Sequence, residues 1–225
     1  MAMMMQMNTI ASWSTDNHMK LNATKTKEMF ISFCRQTPNV PSITVDGKPL
    51  ERVDCVTLLG VKLSSDLSWH HHVDHILKKA NPCLYSLNML KRAKVSPKDI
   101  TQIFCSRIRP ILEYAAPVWH GGLTKEMRDN IEAIQKRALK IALPSLGYKE
   151  AMDSLNIVTL QERREDLCKC FFKKIKDPND KLNKLLPHKT NSVTTRHGKE
   201  YPLPKVNTNR FKDSFIPYAL FNLQD

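Results

Sequence analysis

The densest group of side chains able to hold a metal or move a proton is His70-His71-His72-Val73-Asp74-His75. His71 and His75 are four residues apart, so on a helix they would share a face, as zinc ligands can. No third ligand follows at a recognisable spacing, and the run is read as the solvent-facing start of a helix. Cys168-Lys169-Cys170 sets two thiols about 200° apart on a helix, a poor geometry for joint ligation. The carboxylates Asp16, Asp54 and Asp66 are isolated, and no Asp-Asp pair occurs in the 225 residues. Positive charge, by contrast, is concentrated. Residues 1–60 carry 6 Lys/Arg and 5 Asp/Glu, a net of +1, against 35 and 22 for the whole chain. Residues 61–225 therefore hold 29 and 17, a net of +12. That imbalance points to a polyanion-facing surface in the second part of the chain. Ordinary solvated helix faces are the alternative.

These residues need elements to position them. From Ser68 the apolar period is helical: Val73, Ile76, Leu77, Ala80, Leu84 and Leu87 form a stripe, with Lys78, Lys79, Lys91 and Arg92 off it. Pro82 lies within that stripe and predicts a kink or a split. Ser96, Pro97 and Asp99 mark the next helix start; Ile100, Ile103, Phe104, Ile108, Ile111 and Leu112 follow, with Pro110 interrupting. Thr124 predicts the cap of a helix that turns Met127, Ile131, Ile134, Ala138 and Ile141 inward and Lys136, Arg137 and Lys140 outward. A short helix is expected over Tyr148 to Leu155. Thr159 and Glu162 form a capping box, opening a helix with Leu160, Leu167, Phe171 and Ile175 on its apolar face. Trp119, in an apolar run, reads as core.

The first 60 residues read as mixed α/β. A helix end is expected over Asn8 to Met19, a strand over Glu28 to Phe33, a hairpin turn at Asp46-Gly47, and a strand over Cys55 to Val61 interrupted by Gly60. Residues 188–209 are polar and carry Pro202 and Pro204, which predicts a mobile linker before a docking segment at Phe211 to Leu223. A hydrophobic content of 41% suits a globular protein. No apolar run approaches the ~18–20 residues of a membrane span, and the six cysteines form no disulfide framework. A soluble, intracellular protein without membrane contact is expected; cytoplasm and nucleus are not distinguished.

Several segments, in order, resemble one family. Leu58-Leu59-Gly60-Val61-Lys62-Leu63 followed by Asp66-Leu67-Ser68-Trp69 and His72-Val73 resembles a run in non-LTR (LINE/jockey-type) retrotransposon reverse transcriptases. Arg109-Pro110-Ile111-Leu112-Glu113-Tyr114-Ala115-Ala116-Pro117-Val118-Trp119 is similar to a downstream segment of that family. So are Ile131-Glu132-Ala133-Ile134-Gln135-Lys136-Arg137-Ala138-Leu139 and Arg210 through Pro217. Upstream, Leu21-Asn22 and Lys25-Thr26-Lys27 look like the end of its palm. The resemblance implies a mostly helical α+β fold. Residues 1–66 would be a palm remnant of a short helix and two or three strands, 67–187 a helical thumb and post-thumb region, and 188–225 a mobile linker and C-terminal segment.

Function follows from the resemblance as a set of expectations. The family's catalytic aspartates lie upstream of the Lys25 motif. Polymerases need clustered carboxylates to hold Mg²⁺, so this chain alone is expected to be inactive. No catalytic or metal residue is assigned, and Mg²⁺ is expected only for a full-length family enzyme. The partner implied is the backbone of an RNA or DNA template–primer duplex, held by Lys78, Lys79, Lys91, Arg92, Lys136, Arg137 and Lys140 on the thumb. Lys25 matches the palm-motif lysine, although a plain surface lysine is the simpler reading. Leu59-Gly60 matches the primer-grip turn, with a β-bulge equally open. The leading expectation is thus a truncated RNA-directed DNA polymerase fragment. The alternatives are a co-opted helical protein-interaction module and the product of a decayed element.

Overall fold

The structure, a computed structural model, describes residues 2–34, 40–45, 47–189 and 200–224. It is a mostly helical α+β fold, as expected, and contacts divide it into two units, one ending at His71 and the other beginning at His72.

The first unit holds helix α1 (Ala2–Asp16) and six strands, each of two to four residues: β1 (Lys27–Glu28), β2 (Thr44–Val45), β3 (Lys48–Pro49), β4 (Glu51–Arg52), β5 (Cys55–Leu58) and β6 (Val61–Ser64). They pair as three separate two-stranded ribbons: β1 with β4 in parallel, β2 with β3 and β5 with β6 antiparallel. Of the strand expected over Glu28 to Phe33, residues 29–33 form no strand and only Glu28 lies in one, at the end of β1. Its anchor is polar: the buried Glu28 carboxylate accepts from Ile43 N at 2.9 Å and from Arg52 Nε at 2.7 Å. The Ile43 amide, then the Arg52 guanidinium, hold that carboxyl below its usual range against the opposing pull of burial. Of the expected hairpin turn, Gly47 takes φ +73°, while Asp46 lies outside the described residues.

Leu59 and Gly60 are neither a bulge nor a break in a strand. Leu58 pairs with Val61, leaving a two-residue turn in which both φ values are positive, 47° and 84°. That is the hairpin turn whose twist suits antiparallel strands, and its first position favours Asn, Asp or Gly. Leucine there is sterically unfavourable, and it stands 84% exposed at the tip. Leu59→Asn is therefore expected to stabilise this unit by about 0.5–1 kcal/mol, read as a higher melting temperature; a lower one would contradict the turn assignment.

The second unit is helical. Helix α2 (His70–Arg92) crosses from the first unit and runs through Pro82 without dividing. Pro82 sits on the exposed side, where the carbonyl it leaves unbonded can turn to water, so the expected split does not occur. Buried Val73, Ile76, Ala80, Leu84 and Leu87 follow the expected stripe, and His72 joins them. Helix α3 (Pro97–Ile103) begins at Ser96, whose hydroxyl accepts from Asp99 N at 3.2 Å. Pro110 is absorbed differently. Residues Phe104–Ile108 widen into a π turn before α4 (Arg109–Glu113), with Arg109 N–H reaching back to Phe104 O. The wider turn accommodates a residue with no N–H to give.

The chain then reverses through Ala115 at φ 53° into α5 (Ala116–Trp119), α6 (Lys125–Ala142), α7 (Tyr148–Leu155) and α8 (Leu160–Ile175). Thr124 and Thr159 cap as their sequences predict. The buried side of α8 is Leu160, Arg164, Cys168, Phe172 and Ile175, not the side through Leu167 and Phe171. An arginine in the middle of that stripe is what hides it from hydrophobic periodicity.

Residues 190–199 of the expected linker lie outside the described residues. On either side of them the chain is tethered. Glu200 bridges Lys176 at 2.9 Å and Lys189 at 2.7 Å, and Tyr201 is only 2% exposed, in a cluster with Phe172, Ala219 and Leu220. The stretch expected to be mobile thus includes one buried ring, Tyr201, which packs on the apolar end of α8. Helices α9 (Asn209–Asp213) and α10 (Phe215–Asn222) complete the unit. They come so close to Gly121 that a Cβ there would stand 2.5 Å from the Asp213 carbonyl oxygen. Only glycine tolerates that approach.

Candidate nucleic-acid interface

The helix α6 carries its apolar side chains inward and Lys136, Arg137 and Lys140 outward, all three exposed. Positions three and four apart on a helix are neighbours, so these cations crowd one patch. Like charges at that spacing repel by a few tenths of a kcal/mol each. Among the described residues no carboxylate pairs with any of them. Arg137 Nη1 instead donates to Asn81 Oδ1 at 2.6 Å, joining α6 to α2, and the Lys136 ammonium lies 5.5 Å from the centre of the Tyr148 ring.

The Asn81 contact decides which expected residues come together. Lys78 lies one turn before Asn81, and both Lys78 and Lys79 are exposed. Lys78 can therefore share one phosphate-facing region with the α6 trio, while Lys79, two residues before Asn81 and so about 160° from it around α2, extends the basic surface onto another side of that helix. Lys91 and Arg92 are exposed as well, but they lie in the last turn of α2, about 15 Å along the axis from Asn81. There they face the negative end of the helix dipole, which accounts for them without a ligand. Lys25 is exposed in the first unit, in a turn where its N–H donates to the Asn22 side chain at 3.1 Å. Leu59 and Gly60 share that unit.

The histidine run divides. His70 and His71 are exposed, whereas His72 is 1% exposed and packs its ring 5.3 Å from that of Trp119. The solvent-facing reading therefore fails at His72: the α2 stripe turns it into the core. Among the described residues no group of three or more His, Cys, Asp or Glu could hold a metal ion. Cys168 is buried and Cys170 exposed, so those thiols do not converge.

Behind the basic patch lies a buried polar layer that the periodicity did not disclose. Trp119 is fully buried and donates its indole N–H to Tyr114 O at 2.9 Å. Arg164 is 0% exposed and lies 5.8 Å from the Trp119 ring, and among the described residues none of its three guanidinium nitrogens meets an acceptor. Burial pulls it down to about 10 against the raising influence of Glu132 and Glu113. Its neighbour Arg163 forms a two-pronged pair with Glu113, at 2.6 and 3.0 Å. Glu132 accepts from Leu160 N at 3.1 Å and from the Tyr148 hydroxyl, while Gln135 donates to Tyr148 Oη at 2.9 Å and Val158 O at 3.0 Å. The sequence signal for this layer was present: Glu132 and Gln135 occupy α6 positions that would otherwise be apolar.

Comparison of the chain with family models, curated proteins and solved structures finds no match. No helix among the described residues is long and apolar enough to cross a membrane.

Proposed function

We propose that this chain binds the phosphate backbone of a nucleic-acid duplex without sequence preference, as the thumb-type part of a non-LTR retrotransposon reverse transcriptase. The observation carrying the reading is the α6 patch: Lys136, Arg137 and Lys140 are exposed, adjacent and, among the described residues, without carboxylate partners. A cation cluster that the protein itself does not neutralise favours a polyanion. The ordered motifs support the family assignment, and their apolar members, among them Leu112, Ala116, Trp119, Ile131, Ile134 and Ala138, are core residues of the helical unit.

The contacts are electrostatic, so salt is the test. Five phosphates neutralised by Lys78, Lys79, Lys136, Arg137 and Lys140 give a slope of log K on log salt of about −4.5. The dissociation constant is expected at ~10⁻⁴–10⁻⁶ M at physiological salt. Replacing Lys136, Arg137 and Lys140 together by Ala should flatten the slope by about 3 and leave the helix intact, since alanine is the best helix former. Fluorescence anisotropy with a labelled duplex reads the slope, and circular dichroism reads the helix. An unchanged slope with unchanged dichroism would shift the assignment to a protein partner.

A further inference from the structure

Beside the basic patch, α6, α7 and the turn between them line an open groove of about 340 Å³ whose floor is Leu139, Leu146 and Ala151 and whose wall includes Tyr148. Lys136, Arg137 and Lys140 form its rim. We propose that this groove takes one unpaired nucleobase from a single-stranded end adjoining the bound duplex, with the flanking phosphates held by the rim cations. The inference rests on the duplex-binding reading above and adds to it a site for an unstacked base.

Three features argue for this occupant. The floor and wall are apolar and aromatic, which suits the flat faces of a base whatever its identity. The rim is cationic with no carboxylate among the groove residues, which suits phosphate. The volume is at the low end of small-ligand pockets, enough for one base and too small for a stacked duplex. An acidic peptide would satisfy the charge but not the lining. The Gly147 N–H is already taken by the Glu150 carboxylate at 2.9 Å, and the other floor residues lie in helices or point apolar side chains inward. An extended peptide laid there would leave its own backbone groups unbonded.

The test uses the full chain and three probes of one duplex: blunt, with a short single-stranded overhang, and with the same overhang made abasic. The abasic probe keeps every phosphate and removes only the bases. The base-bearing overhang should bind about tenfold tighter than the abasic one, within the range stacking on aromatics provides. Leu146→Asn, which changes no charge, should reduce that difference to about twofold or less while the salt slope on blunt duplex stays as it was. Equal affinity for the abasic and base-bearing overhangs, or a preference that survives Leu146→Asn, would overturn the proposal. So would an acidic peptide that abolishes the preference at lower concentration than the overhang itself. If blunt duplex binds with its steep salt slope but the overhangs do not differ, the groove assignment alone is lost. If blunt duplex shows no salt-dependent binding, the underlying function is lost.

Discussion

Acidification from pH 7 to pH 5 is expected to cost the helical unit about 4 kcal/mol, a large share of the roughly 5–15 kcal/mol that stabilises a typical domain. Two buried histidines carry the effect. His72 is driven down to about 4 by burial and, second, by His75; His120 is driven down to about 4 by burial, then by Arg164 and Arg128. Their surroundings explain it: the His72 ring lies against Trp119, the His120 ring meets Tyr218 edge-on at 5.8 Å, and His120 Nδ1 has no hydrogen-bond partner among the described residues. In the unfolded chain each returns to its ordinary value of 6.5. The unfolded state therefore binds more protons at low pH, and stability falls as pH falls. The contribution is complete above pH 6.5 and disappears between there and pH 4. At pH 5 a histidine moved from 6.5 to 4 costs about 2 kcal/mol, so two give about 4. Urea midpoints at pH 7 and pH 5 measure it. A His72→Asn/His120→Asn variant should be weaker at pH 7 yet lose most of the slope; a wild-type midpoint independent of pH would refute the argument.

Glu132→Ala is expected to destabilise the unit by about 3 kcal/mol. One carboxylate serves three helices: it belongs to α6, receives the Tyr148 hydroxyl of α7, and accepts the first N–H of α8 at Leu160. Its charge also faces the positive end of the α8 dipole. Removal leaves a buried amide and a half-buried hydroxyl short of an acceptor and deprives Arg164 of the largest of its compensating negative charges. Burial, and then the bond to Glu132, already push the Tyr148 hydroxyl well above its usual value. Glu132→Gln keeps an acceptor and the volume, and should cost only about 1 kcal/mol. Denaturant titration of both variants decides the matter. A loss below about 1 kcal/mol for the alanine variant would show that water replaces the carboxylate.

Local chemistry made much of this fold legible before any coordinates. Ser96, Thr124 and Thr159 announce helix starts because a capping hydroxyl satisfies an N–H that nothing else reaches. The outward placement of Lys136, Arg137 and Lys140 follows from the apolar residues opposite them. What stayed hidden depends on neighbours distant in sequence. Arg164 breaks the hydrophobic pattern of α8, yet it is buried because Trp119 provides a ring to lie on. His72 reads as polar until Trp119 packs against it. Pro82 and Pro110 look alike as helix breakers; one is tolerated by exposure and the other by a π turn, and only tertiary position separates them. The groove needs α7 folded back on α6, which no stripe on either helix specifies.

The close passage of Asp213 over Gly121 has a consequence for the order of assembly. Tyr218 against His120, and Ala219 and Leu220 against Phe172, fill places that helices made more than forty residues earlier leave open. During synthesis α5 and α8 emerge first and wait with those places empty. The helical unit cannot close until the ribosome has released residues through Leu223, so its final packing step comes after translation of this region rather than during it.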